Sequence, residues 1–169
     1  GSTGVELTYS PGRVAPNDPA FTDSRKPLAG EFIFNGRKLI VVVSQLISKS
    51  GDDPLFGFTQ PPMLHSEAQR IAQAEAINAF VDSILGLDPQ ARVLVIGDMN
   101  DFQFSESLDA LKGGVTPVLT NLHDTLPANE RYSYMLDGNS QALDHVLASD
   151  QMTADGDSAD VVHMNAEFA

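Results

Sequence analysis

The sequence contains no cysteine, so it forms no disulfide bond and offers no thiolate ligand to a metal. Basic residues are scarce: 10 Lys and Arg stand against 23 Asp and Glu, and the formal net charge is −13 at pH 7. This charge opposes tight binding to a nucleic-acid backbone unless a divalent cation or a local basic patch intervenes. Long apolar runs are also lacking, which excludes a membrane span, and no signal peptide is recognisable. The 169 residues suit a single domain, covering 1–169, with a sizeable core.

A short apolar run at residues 93–96 is followed by Gly97 and a cluster of polar residues. Three of its four residues are β-branched, which predicts a strand buried on both faces. Asp98 and Asn100 lie two positions apart, so an extended backbone would point both side chains to the same side. A carboxylate beside an amide can hold a hard cation or orient a water or a phosphoryl oxygen. The alternative is a polar turn that only ends the strand, and the spacing alone leaves both interpretations open.

Two helices are predicted from apolar periodicity and capping residues. Apolar residues recur at helical spacing through residues 67–85, where Ser66 begins the capping-box pattern Ser-Glu-Ala-Gln and Gly86 is a stop signal. Ser105 is the predicted N-cap of a shorter helix over residues 106–111. The longer helix joins two predicted strands, and such a crossover packs on a sheet. The sequence therefore predicts an α/β fold, in which helices pack on a mixed β-sheet.

The remaining strands are predicted from alternation and turn residues, and Asn35–Gly36 is the strongest hairpin signal. A strand pair is expected to flank the turn at residues 137–139. Residues 50–62 read as a long surface loop and residues 150–160 as an acidic mobile loop. The predicted strands, besides the apolar run described above, are residues 4–9, 28–34, 38–46, 131–136, 142–148 and 161–165.

The stretch at residues 95–102, Val-Ile-Gly-Asp-Met-Asn-Asp-Phe, resembles the Gly-Asp-x-Asn signature of the endonuclease/exonuclease/phosphatase superfamily. Further stretches resemble the same superfamily in the same order, at residues 23–28, 34–39, 48–55, 132–134 and 143–147. Together they are most similar to the branch of bacterial extracellular nucleases, from about residue 5 to residue 168. The resemblance implies part of a deoxyribonuclease-I-like α/β sandwich and, through this branch, an extracellular location.

Members of this superfamily hydrolyse phosphoester bonds by in-line attack of water, and Mg²⁺ or Mn²⁺ is the cofactor that the resemblance implies. The reaction needs charge to stabilise the pentacovalent oxygens, an acid or base, and groups that align the water. Asp98 and Asn100 match the superfamily's Gly-Asp-x-Asn pair and are therefore the candidate catalytic and metal-binding residues. The implied partners are nucleic acid or a small phosphodiester, and no membrane.

Other candidate residues match the superfamily's pattern less completely. Asp144 matches the Asp of a Leu-Asp-His-x-Leu strand, whose carboxylate usually pairs with a late catalytic His; the alternative is a structural acceptor at a strand end. Gln45 stands where this branch has a His, and Ser44 stands at an Asn position. An amide cannot transfer a proton near neutral pH, so the acid step is in question at Gln45. Arg25 and Lys49 are candidate phosphate-binding residues or, alternatively, ordinary solvated charges.

The superfamily's early Asn and Glu ligands have no counterpart in the sequence, and its closing Ser-Asp-His-Asp-Pro motif is absent. We therefore expect the chain to lack the sandwich's N-terminal part and its extreme C-terminal motif. Apolar surface left open in this way would favour self-association. Two functions follow: a metal-dependent phosphodiesterase or nuclease-like hydrolase impaired by missing catalytic residues, or a non-catalytic remnant of the fold that acts as a binding or interaction module.

Overall fold

A computed structural model of the chain describes residues 4–136, 138–156 and 158–163. Among these residues, six strands form one mixed sheet in the order β1-β2-β3-β4-β8-β5, in which β3 and β4 are parallel and the other neighbours antiparallel. Two short strands, β6 and β7, form a separate hairpin. The strands are β1 Gly12–Arg13, β2 Leu28–Phe34, β3 Arg37–Gln45, β4 Val93–Asp98, β5 Leu119–Asn121, β6 Tyr134–Leu136, β7 Asn139–Gln141 and β8 Asp144–Ser149. This sheet with its packed helices is the predicted α/β fold.

Three helices complete the described part of the fold: α1 Glu67–Leu87, α2 Glu106–Lys112 and α3 Asp150–Ala154. Short 3₁₀ turns lie at Pro19–Phe21, Leu122–Thr125 and Ala128–Glu130. Within the described residues, no helix has the length and apolarity needed to cross a membrane. Ser105 caps α2 as predicted, because its side chain accepts a hydrogen bond from the Leu108 N–H.

Helix α1 joins the parallel strands β3 and β4 and covers one face of the sheet, which we call the covered face. Its residues Ala74, Ile77, Val81 and Ile84 are buried in one core with alternate residues of the two strands. Ile71, which belongs to the same predicted apolar repeat, is only half-buried. The helix continues through the predicted stop at Gly86 and ends at Leu87. No atom lies within 4 Å of the position that a Gly86 Cβ would occupy, so no contact there ends the helix.

The predicted capping box at the start of α1 is wrong. Ser66 has helical dihedral angles and makes no capping bond. Its hydroxyl instead donates to Asp52 and accepts from Arg70, and the Gln69 amide donates to the carbonyls of Ala20 and Thr22. Tertiary partners have therefore replaced the local bonds that the sequence pattern predicts.

The second face of the sheet, which we call the open face, is only partly covered. Val93 and Val95 of β4 are fully buried, but Leu94 and Ile96 on the open face are half-buried, so the expectation of burial on both faces is wrong. A small cluster covers one end of this face with Leu122, Ala148 and Met152, against which Leu39, Leu94, Val146 and Ala159 pack. Along β2 and its neighbour β3, four apolar side chains stay exposed on this face, namely Leu28, Phe32, Phe34 and Val43. Self-association through this surface remains a prediction.

Several predicted elements near the termini are also wrong. Residues 4–9 form no strand, and the sheet begins at β1 instead. Residues 142–148 do not pair with residues 131–136: β8 lies between β4 and β5, where its alternate residues fill the core. The chain after β8 forms α3, and residues 161–163 form no strand. The rest of that last predicted strand lies outside the described residues.

Candidate functional site

The carboxylate of Asp98 lies at the C-terminal end of β4, in the middle of the sheet. The parallel neighbour β3 places Gln45 opposite Asp98, and the antiparallel neighbour β8 places Asp144 opposite it on the other side. Side chains of directly paired residues project from the same face of a sheet. Gln45, Asp98 and Asp144 therefore form a row across three strands on the open face.

A tight turn after β4 requires the glycine that precedes Asp98. Gly97 has φ of +137°, and a Cβ atom there would collide with the carbonyl oxygen of Ser44 on β3. Asn100 is left-handed as well, with φ of +51°. Its N–H donates to Asp98 Oδ1 at 2.9 Å, and its side-chain Nδ2 donates to the Leu46 carbonyl at 2.9 Å. Asn100 is therefore held beside Asp98 by the turn, not by the extended backbone expected from the spacing.

Gln45 touches Asp98 directly. Its Nε2 donates to Asp98 Oδ2 at 3.3 Å, and the backbone N–H of Leu46 donates to the Asp98 carbonyl at 3.0 Å. Each carboxylate oxygen of Asp98 thus accepts one hydrogen bond from a neutral donor. Gln45 can orient an oxygen atom through its N–H, but its amide cannot act as an acid or a base near neutral pH. Ser44 points to the covered face, where its hydroxyl has no partner among the described residues.

Asp144 begins β8 with an exposed side chain. The hydroxyl of Ser133 accepts hydrogen bonds from the backbone N–H groups of Leu143 at 3.1 Å and Asp144 at 2.9 Å. These bonds fix the backbone at the start of β8. Within the described residues, the Asp144 carboxylate has no hydrogen bond or ion pair of its own. The carboxylate can therefore accept bonds from water, a cation or a substrate hydroxyl.

The next residue, His145, faces the covered side and is buried. Its Nε2 donates to the carbonyl of Asp101 at 2.9 Å, and its Nδ1 accepts from the Asn121 amide at 3.0 Å. Burial lowers the pKa of both His145 and the neighbouring His123, whose rings lie 5.3 Å apart. Both rings are therefore neutral in the folded protein near pH 7, as structural histidines.

A buried ion network lies behind the site, and sequence reasoning missed it. Arg70, 1% exposed, donates through Nε to Asp101 Oδ2 at 2.9 Å and also contacts Asp52 and Ser66. Lys49 Nζ lies 2.8 Å from the other carboxylate oxygen of Asp101. Burial opposes the ionisation of Asp101, but the hydrogen bond from Lys49 and the charges of Lys49 and Arg70 outweigh it, so that the pKa of Asp101 is lowered.

A signal for this network exists in the sequence. Position 70 falls in the same helical stripe as Ala74, Ile77 and Val81, so an arginine stands where the pattern calls for an apolar residue. A buried arginine requires a carboxylate partner. Three residues beyond Asp98, Asp101 supplies it and so fixes the position of the turn that carries Asp98 and Asn100.

The two candidate phosphate-binding residues differ in their surroundings. Lys49 is engaged, because its Nζ pairs with Asp101 and lies 3.6 Å from the centroid of the Phe102 ring. A phosphate contact from Lys49 would compete with this pair. Arg25 is exposed and lines an open pocket together with Arg13 and Lys26. The same pocket is bounded by Gln45 and Asp98 on the sheet, so the basic side chains and the candidate site share one concave surface.

The site offers oxygen ligands that suit a hard cation. Among the residues that the structure describes, no three His, Cys, Asp or Glu side chains are placed to hold a metal together. Asp98 and Asp144 provide two carboxylates. Gln45 and Asn100, which both donate hydrogen bonds to Asp98, add two amide oxygens. Mg²⁺ is typically bound through one or two carboxylates and keeps several of its waters. The donor set therefore fits a weakly held, hydrated divalent cation.

Comparison with known proteins agrees with this architecture. A family model described as the Endonuclease/Exonuclease/phosphatase family matches residues 19–167. A search of curated proteins found no match. Solved structures do match. A truncated Caenorhabditis elegans TDP2 has a TM-score of 0.57 at 16% identity, over 83% of this chain and 52% of that one.

Two further structures are similar over the same fold. The human Nocturnin catalytic domain with bound sulfate anion has a TM-score of 0.52 at 18% identity, over 74% of this chain and 41% of that one. Sphingomyelinase C from Streptomyces griseocarneus has a TM-score of 0.51 at 19% identity, over 76% and 43% respectively. At these identities the likeness shows the fold alone. The chain spans about half the length of the structures it matches.

Proposed function

Because this chain belongs to the endonuclease/exonuclease/phosphatase family, we propose that it is a metal-dependent phosphodiester hydrolase domain whose site is the row Gln45, Asp98 and Asp144 with Asn100. The observation that carries the proposal is the register of β3, β4 and β8. It aligns two carboxylates and an amide on one face, next to a pocket with three of the chain's ten basic residues. In a chain of net charge −13, such a local basic patch is what an anionic substrate requires.

Each residue has a role that its geometry allows. Asp98 and Asp144 would hold Mg²⁺ or Mn²⁺ together with its waters, with Asn100 as a further oxygen ligand, and the cation would supply charge against the developing phosphorane. Gln45 Nε2, now bonded to Asp98, is placed to donate to a phosphoryl oxygen. Arg25, beside Arg13 and Lys26, would bind a neighbouring phosphate, whereas Lys49 would do so only by leaving Asp101.

Turnover by the 169-residue chain is expected to be low. The row contains no histidine that could protonate the leaving oxygen, because Gln45 stands at that position. Removal of one proton-transfer or electrostatic group typically costs about 10²–10⁴-fold in rate. On the motif resemblance to bacterial extracellular nucleases alone, we extend the proposal to nucleic acid or a small phosphodiester as the substrate and to an extracellular location.

One observation favours a second candidate, a binding or interaction module without catalysis. The hydrogen bond from Gln45 occupies one lone pair of one Asp98 oxygen, and the Asn100 N–H occupies one lone pair of the other. A carboxylate already partly engaged by N–H groups of the protein would bind a cation weakly and position no nucleophile. In this case the fold and the basic pocket would serve to bind an anionic partner.

A nicking assay on supercoiled plasmid separates the two candidates. We expect slow nicking in millimolar Mg²⁺ or Mn²⁺ that is abolished by chelator and by Asp98→Ala. Asp82→Ala, an exposed carboxylate on α1, is the matched control and should be unchanged. A chromogenic bis-ester provides a small substrate for the same variants. Nicking equal in Asp98→Ala and in the unmodified chain would contradict the hydrolase, and rapid turnover would contradict the expected impairment.

A further inference from the structure

A loop between β3 and α1 displays two phenylalanine rings to solvent. We call residues 53–63 the aromatic loop. Phe56 is 99% exposed and Phe58 is 106% exposed, so neither ring packs on the rest of the protein. Neighbouring large apolar side chains that stay fully exposed mark a binding surface more often than chance placement.

The aromatic loop is held by its own hydrogen bonds. At its base, the Asp53 N–H donates to the Met63 carbonyl at 2.9 Å and the Met63 N–H returns a bond to Asp53 Oδ2 at 3.0 Å. Near its tip, the Gln60 amide donates to the carbonyls of Leu55 and Gly57, both at 3.1 Å. The rings are therefore presented by an ordered platform, which lowers the conformational entropy lost when a ligand binds.

The loop belongs to the same edge of the sheet as the candidate site. It follows the end of β3, where Gln45 is paired with Asp98. Both of its flanks are tied to the residue that fixes the site's turn: Lys49 before the loop and Arg70 after it each pair with Asp101. The aromatic loop therefore starts from the edge of the sheet that carries the candidate site.

The aromatic loop carries one acidic residue, Asp53, at its base, where the Met63 N–H donates to its carboxylate. Residues 54–65 contain no acidic residue, although 23 of the chain's 169 residues are acidic. On the same edge, the exposed Phe104 ring stacks on Phe102 at 5.4 Å, and the Lys49 ammonium lies over Phe102. Lys49 also pairs with Asp101. Aromatic faces beside cations are the kind of surface on which proteins stack the bases of single-stranded nucleic acid.

We propose that the aromatic loop is a base-stacking site for single-stranded nucleic acid, an inference that rests on the proposed function of the adjacent row. Phe56 and Phe58 would each stack on an unpaired base. A phosphate of the same strand would then lie near Gln45 and Asp98. A duplex, whose bases are already stacked and paired, could not offer their faces to the rings. The site therefore prefers flexible single strands over duplex of the same sequence.

Binding is tested without catalysis, so that failure of the hydrolase proposal does not affect the result. A fluorescein-labelled oligothymidylate of about 12 nucleotides is titrated with the full chain in chelator at low salt, with fluorescence anisotropy as the readout. We expect Phe56→Ala with Phe58→Ala to weaken binding by at least about 10-fold. Phe34→Ala is the matched control, because this exposed phenylalanine lies at the hairpin on the opposite edge of the sheet, and it should leave the affinity unchanged.

The absence of tryptophan in the chain permits a direct test of stacking. Phe56→Trp places the chain's only tryptophan, which can be excited apart from its three tyrosines, at the proposed contact. The oligothymidylate should quench its emission, whereas an abasic oligonucleotide of equal length and charge should not. Phe34→Trp, at the control position, should respond to neither.

Four results would overturn the proposal. They are no measurable binding by the unmodified chain, equal binding by the loop double variant, quenching by the abasic oligonucleotide, and equal affinity for duplex and single strand. Loop-dependent cosedimentation with vesicles of phosphatidylcholine and phosphatidylglycerol, without loop-dependent oligonucleotide binding, would assign the rings to a membrane surface instead. Binding that survives in Asp98→Ala while nicking is lost would uphold the stacking site. If binding is upheld and no variant nicks DNA, the hydrolase proposal fails alone.

Discussion

The two faces of the sheet treat polar side chains in opposite ways. On the covered face, Arg70 and Asp101 are buried together and hydrogen-bonded, and His145 is held from both ring nitrogens. On the open face, Asp98 is only half-buried and Asp144 is exposed. Buried polar groups contribute to stability only while every partner remains, whereas exposed ones keep lone pairs for a ligand. We therefore expect substitutions on the covered face to change stability, and substitutions on the open face to change binding and turnover.

The largest effect on stability is expected for Arg70→Met. The substitution keeps the stem of the side chain but leaves the carboxylates of Asp52 and Asp101 buried beside one cation fewer. Removing one partner of a buried ion pair typically costs about 3–5 kcal/mol. Urea denaturation measures the loss, and Arg25→Met, an exposed arginine, should stay within about 0.5 kcal/mol. Adding Asp101→Asn to Arg70→Met should recover part of the loss, and a loss below about 1 kcal/mol would contradict the network's role.

A similar but apolar loss is expected for Ile77→Ala on the covered face. Ile77 is fully buried between α1 and the sheet, and its truncation costs about 2–5 kcal/mol through lost transfer free energy and a cavity. Phe32→Ala is the comparison on the open face, where the larger ring is exposed, and it should cost far less. Equal shifts of the two thermal melting temperatures would remove the distinction between the faces.

The covered face should also make stability depend on pH. The pKa values of His123 and His145 are lowered by burial, so the unfolded chain binds protons more readily than the folded one. Stability is therefore fully present above about pH 6.5 and is lost as the pH falls towards the lowered folded values. Each group can contribute at most about 1.4 kcal/mol per pH unit.

Denaturation curves between neutral and mildly acidic pH measure this dependence. His145→Gln should flatten the slope, and His65→Gln, an exposed histidine, should not. The pKa of Asp101 is lowered as well, but its stabilisation is lost only below about pH 3.8, in a separate window. A slope that His145→Gln leaves unchanged would mean that this ring titrates normally in the folded protein.

The smallest effect on stability is expected at the open-face row. Gln45→His replaces an amide by a side chain of similar size that can carry a proton, so unfolding should change by less than about 1 kcal/mol. If the missing proton-transfer group limits turnover, the same variant should nick plasmid about 10²-fold faster. Gln45→Asn, which changes the side chain without adding an ionisable group, is the control and should show no gain. Equal nicking by the two variants would place the limitation elsewhere.

Local signals in the sequence predicted the elements that depend on local chemistry. The apolar spacing of α1, the Asn35–Gly36 turn and the Ser105 cap all correspond to observed structure. The Gly-Asp-x-Asn match led to Asp98, which the structure places at the centre of the sheet. For the helix, the turn and the cap, the determining pattern lies within a few residues along the chain, where propensity and periodicity are informative.

Elements decided by distant partners were predicted poorly. Ser66 was expected to cap α1, but Asp52 and Arg70 occupy its hydroxyl. β8 was assigned to a local hairpin, although its side chains are buried between β4 and β5. Strand alternation shows that a segment can pair but not with which partner, because the register is set by burial in the assembled core.

The sequence by itself determined the α/β class, the strand that carries Asp98, the helix that covers it, and the amide at position 45. These follow from residue type and from short-range periodicity, which are properties of the sequence and do not depend on tertiary contacts. Only the tertiary structure decided that Asp144 stands opposite Asp98, and that Arg70 holds the site's turn through Asp101. The physical reason is that a buried charge must find its partner in space, and the residues that meet there lie 31 positions apart along the chain.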